Sequence, residues 1–297
     1  MARRAKTQKL ANLTMSSPVL FDVLEQATAR LQAAGSDEPQ ANAEWLLACV
    51  LGVTRTWLLA HRDYPLSNEE LSQYHSYLTR KASGEPLAHI VGHQPFGGLD
   101  IRVSPDVLIP RPETEELVDI VTALFDKRGT YHFLDMCTGS GCIACLLAKR
   151  FARAQVLAVD VSEKALAVAQ QNIRQFNLQE RVYLLQSNLW EQVQGTFDLI
   201  VSNPPYIPTS IVDTLTPEVL CEPRLALDGG PDGLEVVRPL CRVAEDYLNP
   251  GGWLALELCQ GQAAAVARGL TEIGWQATVK KDIVGIERFV LAQKLNK

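Results

Sequence analysis

The sequence predicts an α/β protein: a doubly wound, mostly parallel sheet of seven strands with an antiparallel hairpin at one edge, behind a small N-terminal helical bundle. Three observations predict it. From Tyr131 onward, short apolar β-rich runs alternate with segments of helical periodicity, as in a parallel sheet covered on both faces. One such run, Leu134-Asp135-Met136, opens into the turn Cys137-Thr138-Gly139-Ser140-Gly141 at the start of a helix. Residues 18–83 instead carry apolar positions at i, i+3 and i+4 between helix start and stop signals.

Taken in order, Val19-Leu20, Val23-Leu24, Ala27 and Leu31 form one apolar stripe that Gly35 ends. Ser36 or Asp37 can cap the next helix, which carries Trp45-Leu46-Leu47 and Val50-Leu51 and closes at Gly52. Thr54–Ala60 reads as a short helix, and Ser67 with Glu70 is a capping box for Leu71–Ala82. This bundle, residues 18–85, holds no chemical constellation and reads as a packing or recognition module. Residues 86–110 read as a hairpin linker, with β-like runs His89–Gln94 and Leu99–Val103 around Phe96-Gly97-Gly98. A strand-like run, Val107-Leu108-Ile109, stops at Pro110-Arg111-Pro112, and Glu113 to Glu116 open a helix ending near Phe125. Arg111, held stiffly between two prolines, can face a ligand.

Within residues 111–297 the strands fall at His132–Asp135, Gln155–Val159, Val182–Gln186, Phe197–Ser202 and Trp253–Leu258. Helices at Gly141–Phe151, Ser162–Phe176, Leu234–Leu248 and Gln262–Ile273 lie between them. Trp275–Lys281 and Glu287–Leu291, joined around Gly285 with no helix between, form the edge hairpin.

Composition narrows the function classes. With 297 residues and 47% hydrophobic content the chain can bury a large core, and no apolar run approaches the ~18 residues of a membrane span. A net charge of −6 argues against extended nucleic acid as the main partner. Seven cysteines, an odd number scattered through apolar runs, suit a reducing, cytoplasmic setting. Cys137, Cys142 and Cys145 match the spacing of plant-type iron–sulfur ligands, but no distinctive fourth ligand accompanies them and no metal is expected. His89 and His93 have the spacing of a helical metal pair, which Gly92 and Pro95 argue against. Residues 1–17 read as a flexible basic tail, with a targeting peptide over Met1–Thr14 as the alternative.

The chemistry concentrates at two strand exits. Phe197–Val201 runs into Ser202-Asn203-Pro204-Pro205-Tyr206-Ile207-Pro208, where paired prolines stop the strand and stiffen the loop. That loop presents an amide, proline carbonyls and an aromatic ring at the carboxyl end of a strand, suited to gripping a planar nitrogen group. Gly139-Ser140-Gly141-Cys142-Ile143-Ala144 satisfies the dinucleotide pattern, which keeps NAD as a rival cofactor. Asp160, ending the second strand, suits ribose hydroxyls in either case. Asp135 tilts the balance, because a carboxylate repels phosphates but favours an ammonium. Gln186-Ser187-Asn188-Leu189 ends the third strand, where Asn188 either meets an adenine edge or shapes a turn.

In combination, the Asn-Pro-Pro-Tyr loop, the Asp-x-x-x-Gly-x-Gly turn and the acidic residue between them resemble S-adenosylmethionine-dependent amino-methyltransferases. Pro110-Arg111-Pro112-Glu113-Thr114-Glu115, Glu222–Gly230, Asp232-Gly233-Leu234 and Gly251-Gly252-Trp253 leading to Glu257 resemble one branch, the HemK/PrmC release-factor glutamine methyltransferases. The resemblance runs from about Pro18 to the C-terminus. It implies a class I methyltransferase-like domain that binds S-adenosylmethionine through Cys137, Thr138, Gly139, Ser140, Gly141 and Asp160, with Asn188 and Leu189 at the adenine. It also implies that Asn203, Pro204, Pro205 and Tyr206 hold the glutamine of the Gly-Gly-Gln loop of peptide chain release factors. Asn203, Pro204 and Tyr206 would be the catalytic residues, Asn203 also facing the cofactor. Cys137 stands where the family usually has glycine, tolerable if its φ is negative, and Asn188 stands where aspartate is common. Rival substrates are a glutamine of a large-subunit ribosomal protein and a flipped adenine of DNA. From other classes, an NAD-dependent dehydrogenase or a catalytically silent binding module remains open.

Overall fold

The structure, a computed structural model, describes residues 18–293, so the basic segment 1–17 lies outside the described residues. The chain divides into two compact units, the first ending at Val91 and the second beginning at Gly92.

In the first unit, helices α1 (Leu20–Ala33), α2 (Pro39–Leu51), α3 (Arg55–Ala60), α4 (Asn68–Ala82) and α5 (Leu87–Val91) enclose Leu31, Leu46, Leu47, Leu58 and Tyr74. The α1 stripe is buried at Leu20, Val23, Ala27 and Leu31. Both halves of the Ser67–Glu70 capping box form. Neither Ser36 nor Asp37 caps α2. Glu38 precedes it in the left-handed region and Pro39 starts it, a position where a missing N–H costs nothing. The run His89–Gln94 is not one strand: Pro86 sets up the short helix α5, Gly92 at φ +83° ends it, and the strand starts at His93.

The second unit opens with the hairpin β1 (His93–Phe96) and β2 (Leu99–Arg102). This hairpin is integral to the unit. The Arg102 N–H donates to Asn172 Oδ1 at 2.8 Å, and Asn172 Nδ2 donates to the carbonyls of Arg102 and Ser140 at 3.0 and 2.8 Å. Val107–Ile109 is not a strand either. Its backbone donors go to a turn at Ser104 and to the buried carboxylate of Glu222 rather than to a neighbouring strand.

Helix α6 (Pro112–Thr122) leads to β3 (His132–Met136), α7 (Cys142–Arg150), β4 (Gln155–Asp160), α8 (Glu163–Gln175), β5 (Val182–Gln186) and β6 (Phe197–Ser202). After β6 come the short helices α9 (Thr209–Val212) and α10 (Pro217–Leu220), then α11 (Val237–Val243), β7 (Leu248–Glu257), α12 (Ala263–Glu272), β8 (Gln276–Lys281) and β9 (Glu287–Gln293). The long helix expected over Leu234–Leu248 is only α11 followed by a 3₁₀ turn, because residue 235 is still tied back to the Gly229 carbonyl. Strand order is β5-β4-β3-β6-β7-β9-β8, with β9 antiparallel to both neighbours. Leu134, Ile200, Leu254 and Leu256 are fully buried in the sheet's core. No described helix is long and apolar enough to cross a membrane.

This order places the functional loops. The chain winds outward from β3 through β4 to β5, then returns to β6 on the other side of β3, creating a topological switch point where ligands bind beyond the strand ends. Met136 pairs with Ser202 across that point, and Ser202 Oγ donates to the Met136 carbonyl at 2.6 Å. The glycine turn and the Asn-Pro-Pro-Tyr loop therefore leave the sheet side by side.

Candidate active site

A cavity of about 730 Å³ lies over this crevice, in the size range of small-molecule sites. Cys137, Thr138, Gly139, Ser140, Asp160, Asn188, Leu189, Asn203 and Pro205 all line it. Gly141, Pro204 and Tyr206 are not among its lining residues. Gly141, at φ +76°, packs against α8, where a Cβ would stand 3.1 Å from that of Ala169. Pro204 is buried in the loop. Tyr206 sends its hydroxyl to Glu257 Oε1 at 3.2 Å, where a buried carboxylate at the end of β7 offers it a charged acceptor.

Two carboxylates build the glycine turn from behind. Asp160 Oδ2 accepts the Gly139 N–H at 2.9 Å and Oδ1 accepts the Ser162 N–H at 2.9 Å, while burial pushes its pKa up. Asp135 Oδ2 accepts Thr138 Oγ1 at 2.5 Å and the Ala144 N–H at 3.1 Å. Asp135 is fully buried and absent from the cavity lining, so it shapes the turn instead of facing a ligand's ammonium; burial raises its pKa to about 7. The N–H groups that would cradle a pyrophosphate are thus partly taken by carboxylates, and the dinucleotide reading loses its physical basis. Gly139, at φ +53° with no atom within 4 Å of where a Cβ would be, leaves bare backbone at the cavity. Those features fit a nucleoside carrying a cationic centre: open backbone, a ribose-reach carboxylate at Asp160 and an apolar floor at Leu189.

Cys137 adopts φ +62°, so the condition under which it would replace glycine without strain is not met. Burial pushes the Cys137 and Cys145 thiols up and Cys142 up to about 12, which keeps all three protonated near neutral pH. Among the described residues no group of three His, Cys, Asp or Glu side chains could hold a metal ion. Asn188 donates its Nδ2 to Glu191 Oε1 at 2.8 Å, forming a turn at the cavity edge.

On the opposite wall, Asn203 Nδ2 donates to Thr114 Oγ1 at 2.9 Å, and Thr114 Oγ1 donates to Glu257 Oε2 at 2.7 Å. Asn203 Oδ1 is buried with no hydrogen-bond partner. Glu257 is 1% exposed; burial raises its pKa to about 7, against the pull of the two hydroxyls and Arg288. Arg111 does not face a ligand. It pairs with Glu222, whose Oε2 also accepts the Ile109 N–H at 2.8 Å. This ties the segment before α6 to the insertion after β6, both of which contribute to the cavity wall. Beneath the loop, Gln262 Nε2 donates to the Tyr206 carbonyl at 2.9 Å, and Gly229 and Gly233 press directly on the carbonyls of Pro205 and Tyr206.

Thr114, Glu257, Glu222 and Asn172 were not singled out for a role by the sequence reading. A signal existed for Glu257, a carboxyl inside the apolar run Trp253–Leu258, since a buried charge demands partners. None marked Asn172, one polar position among many on an amphipathic helix.

Comparison with known proteins bears on this geometry. Residues 22–92 match the family model described as PrmC N-terminal domain, and residues 115–230 match the methyltransferase small domain. The chain is 44% identical over 271 residues to the release factor glutamine methyltransferase of Geobacter sulfurreducens, covering 90% of this chain and 94% of that one. It is 42% identical over 278 residues to that of Moorella thermoacetica, covering 93% and 98%. Among solved structures, a methyltransferase from Pyrococcus furiosus is similar with TM-score 0.52 and 26% identity, over 74% of this chain and 99% of that one. The 16S rRNA N2 G1207 methyltransferase of T. thermophilus, in complex with AdoMet and guanosine, shares the fold at TM-score 0.52 and 19% identity, over 68% of this chain and 49% of that one.

Proposed function

The chain belongs to the release factor glutamine methyltransferase family, and from that premise we propose that it methylates the side-chain amide nitrogen of the glutamine in the Gly-Gly-Gln loop of peptide chain release factors. S-adenosylmethionine, held by residues 137–140, Asp160, Asn188 and Leu189, supplies an electrophilic methyl group when bound.

The protein's own work is to hold an inert nitrogen still. A carboxamide nitrogen is a weak nucleophile because its lone pair is delocalised into the carbonyl. Asn203 Oδ1, buried and unpartnered beside the glycine turn, accepts one substrate N–H, and the Pro204 carbonyl is assigned the other. Two acceptors orient the nitrogen, and alignment of this kind is worth up to ~7–11 kcal/mol of barrier. Tyr206 anchors the loop through Glu257. Among the described residues no histidine lines the cavity, and the proton is assigned to leave after transfer, when the nitrogen is far more acidic. Residues 18–91 are assigned to recognition of the release factor, and the seven free cysteines suit a cytoplasmic setting.

The unpartnered Asn203 oxygen carries this reading. Mass spectrometry of release factors incubated with the protein and labelled S-adenosylmethionine should find one methyl on the glutamine. Asn203→Ala should lower turnover by about 10²–10³ while leaving S-adenosylhomocysteine binding intact. Near-normal turnover in that variant would refute the assignment.

A further inference from the structure

We propose that Thr114 and Glu257 fix the polarity of the Asn203 amide, and that this polarity makes the site select a carboxamide over the isosteric carboxylate. The inference rests on the assignment of Asn203 as the substrate's acceptor and goes beyond it to what keeps Asn203 an acceptor.

An ionised carboxylate only accepts hydrogen bonds, and a hydroxyl has one hydrogen to give. Thr114 spends that hydrogen on Glu257 Oε2 at 2.7 Å. Toward Asn203 it can then only accept, and it does so from Nδ2 at 2.9 Å. The second oxygen of Glu257 is engaged by Tyr206 at 3.2 Å, so the chain of donors runs one way, from Asn203 to Glu257. Burial works against the ionised form of Glu257 and Glu113 on α6 adds to that, while the Thr114 and Tyr206 hydroxyls and Arg288 on β9 favour it. The one-way chain holds above about pH 7, where the carboxylate is ionised and can only accept, and the measurements below are made there. The consequence is geometric: the Asn203 nitrogen is turned toward α6 and Oδ1 is left without a partner. A glutamine satisfies that oxygen with an N–H. A glutamate of the same shape brings lone pair against lone pair in a buried place, and a site built for one hydrogen-bonding partner rejects the analogue that cannot supply it.

Thr114 and Glu257 act through Asn203 and are positioning residues. Thr114→Val keeps the side chain's shape and breaks the link; Thr114→Ser keeps the hydroxyl. Three quantities are measured in full-length protein: kcat on a release factor, inhibition by the same release factor with its glutamine replaced by glutamate, and affinity for S-adenosylhomocysteine. In Thr114→Val, kcat should fall and the preference for glutamine over glutamate should narrow, each by at least about tenfold, because a freed Asn203 can present its NH₂ to the carboxylate. S-adenosylhomocysteine affinity should not change, and Thr114→Ser should restore both losses. A Thr114→Val protein with wild-type preference overturns the inference. Thr114→Ala serves the same comparison if the valine variant does not fold. Asn203→Ala separates the two levels. Loss of transfer there with preserved preference in Thr114→Val sinks only the polarity inference, whereas full transfer in Asn203→Ala sinks the site assignment as well.

Discussion

Gly229→Ala tests whether the reactive loop owes its position to the insertion packed beneath it. A Cβ at residue 229 would stand 2.7 Å from the Gly233 carbonyl oxygen and 2.8 Å from that of Pro205. Ordinary contact begins near 3.4 Å, so both contacts must open, the one to the Pro205 carbonyl by about 0.6 Å. Residue 229 has no left-handed backbone, so the added methyl acts by contact alone. Residues 203–206 are also gripped through the Asn203–Thr114 and Tyr206–Gln262 bonds, and the displacement will be shared with them. Overpacking of this kind costs ~1–3 kcal/mol of stability, and misplacement approaching 1 Å at a reacting centre costs on the order of 10²-fold in rate. We expect turnover on a release factor to drop by about one to two orders of magnitude. Calorimetry should show S-adenosylhomocysteine affinity within about twofold, since the glycine turn leaves β3, not β6. Full turnover together with unchanged stability would refute the claim that this contact sets the loop.

Three further outcomes follow from the same structure. Glu222→Gln weakens the bond from Arg111, whose guanidinium is open enough to water to stay solvated, and should cost about 1–2 kcal/mol in urea denaturation, with cofactor-site geometry preserved as read by S-adenosylhomocysteine binding. Cys137→Val places a β-branched side chain at φ +62° and should destabilise by at least ~1–2 kcal/mol, whereas Cys137→Gly should be neutral or stabilising in the same melt. Asp135 and Glu257 are both held at about 7, above their unfolded values, so the unfolded chain releases those protons first. Stability should therefore decline as pH rises from the ordinary carboxylate range toward 7 and level off above it, and Glu257→Gln should flatten part of that slope.

The fold was legible because each element of the sheet carries its own local signal. Val182–Gln186 and Phe197–Ser202 form strands at the expected residues, being short apolar runs bounded by turns. The bundle helices announced themselves through the α1 stripe and the Ser67–Glu70 box. Misread segments were those whose partners are distant in sequence. Val107–Ile109 has strand composition, but its hydrogen-bonding partner is Glu222, 113 residues from Ile109. Half of the site was likewise visible as loops at strand ends. Thr114 and Glu257, 143 residues apart, become neighbours only once α6 lies beside β7, and no spacing rule encodes that. Tyr206 shows the same limit: its ring is visible in the loop sequence, but the carboxylate that takes its hydroxyl is known only from the fold.

The pairing of Met136 with Ser202 has a consequence for how such a protein can diversify. Two loops that emerge from adjacent strands begin about 4.8 Å apart by the repeat of the sheet itself. The spacing of the two loops at their roots is thereby set by the sheet's main chain rather than by any one side chain. Side chains further along both loops, and the insertion after β6, can change without altering that spacing.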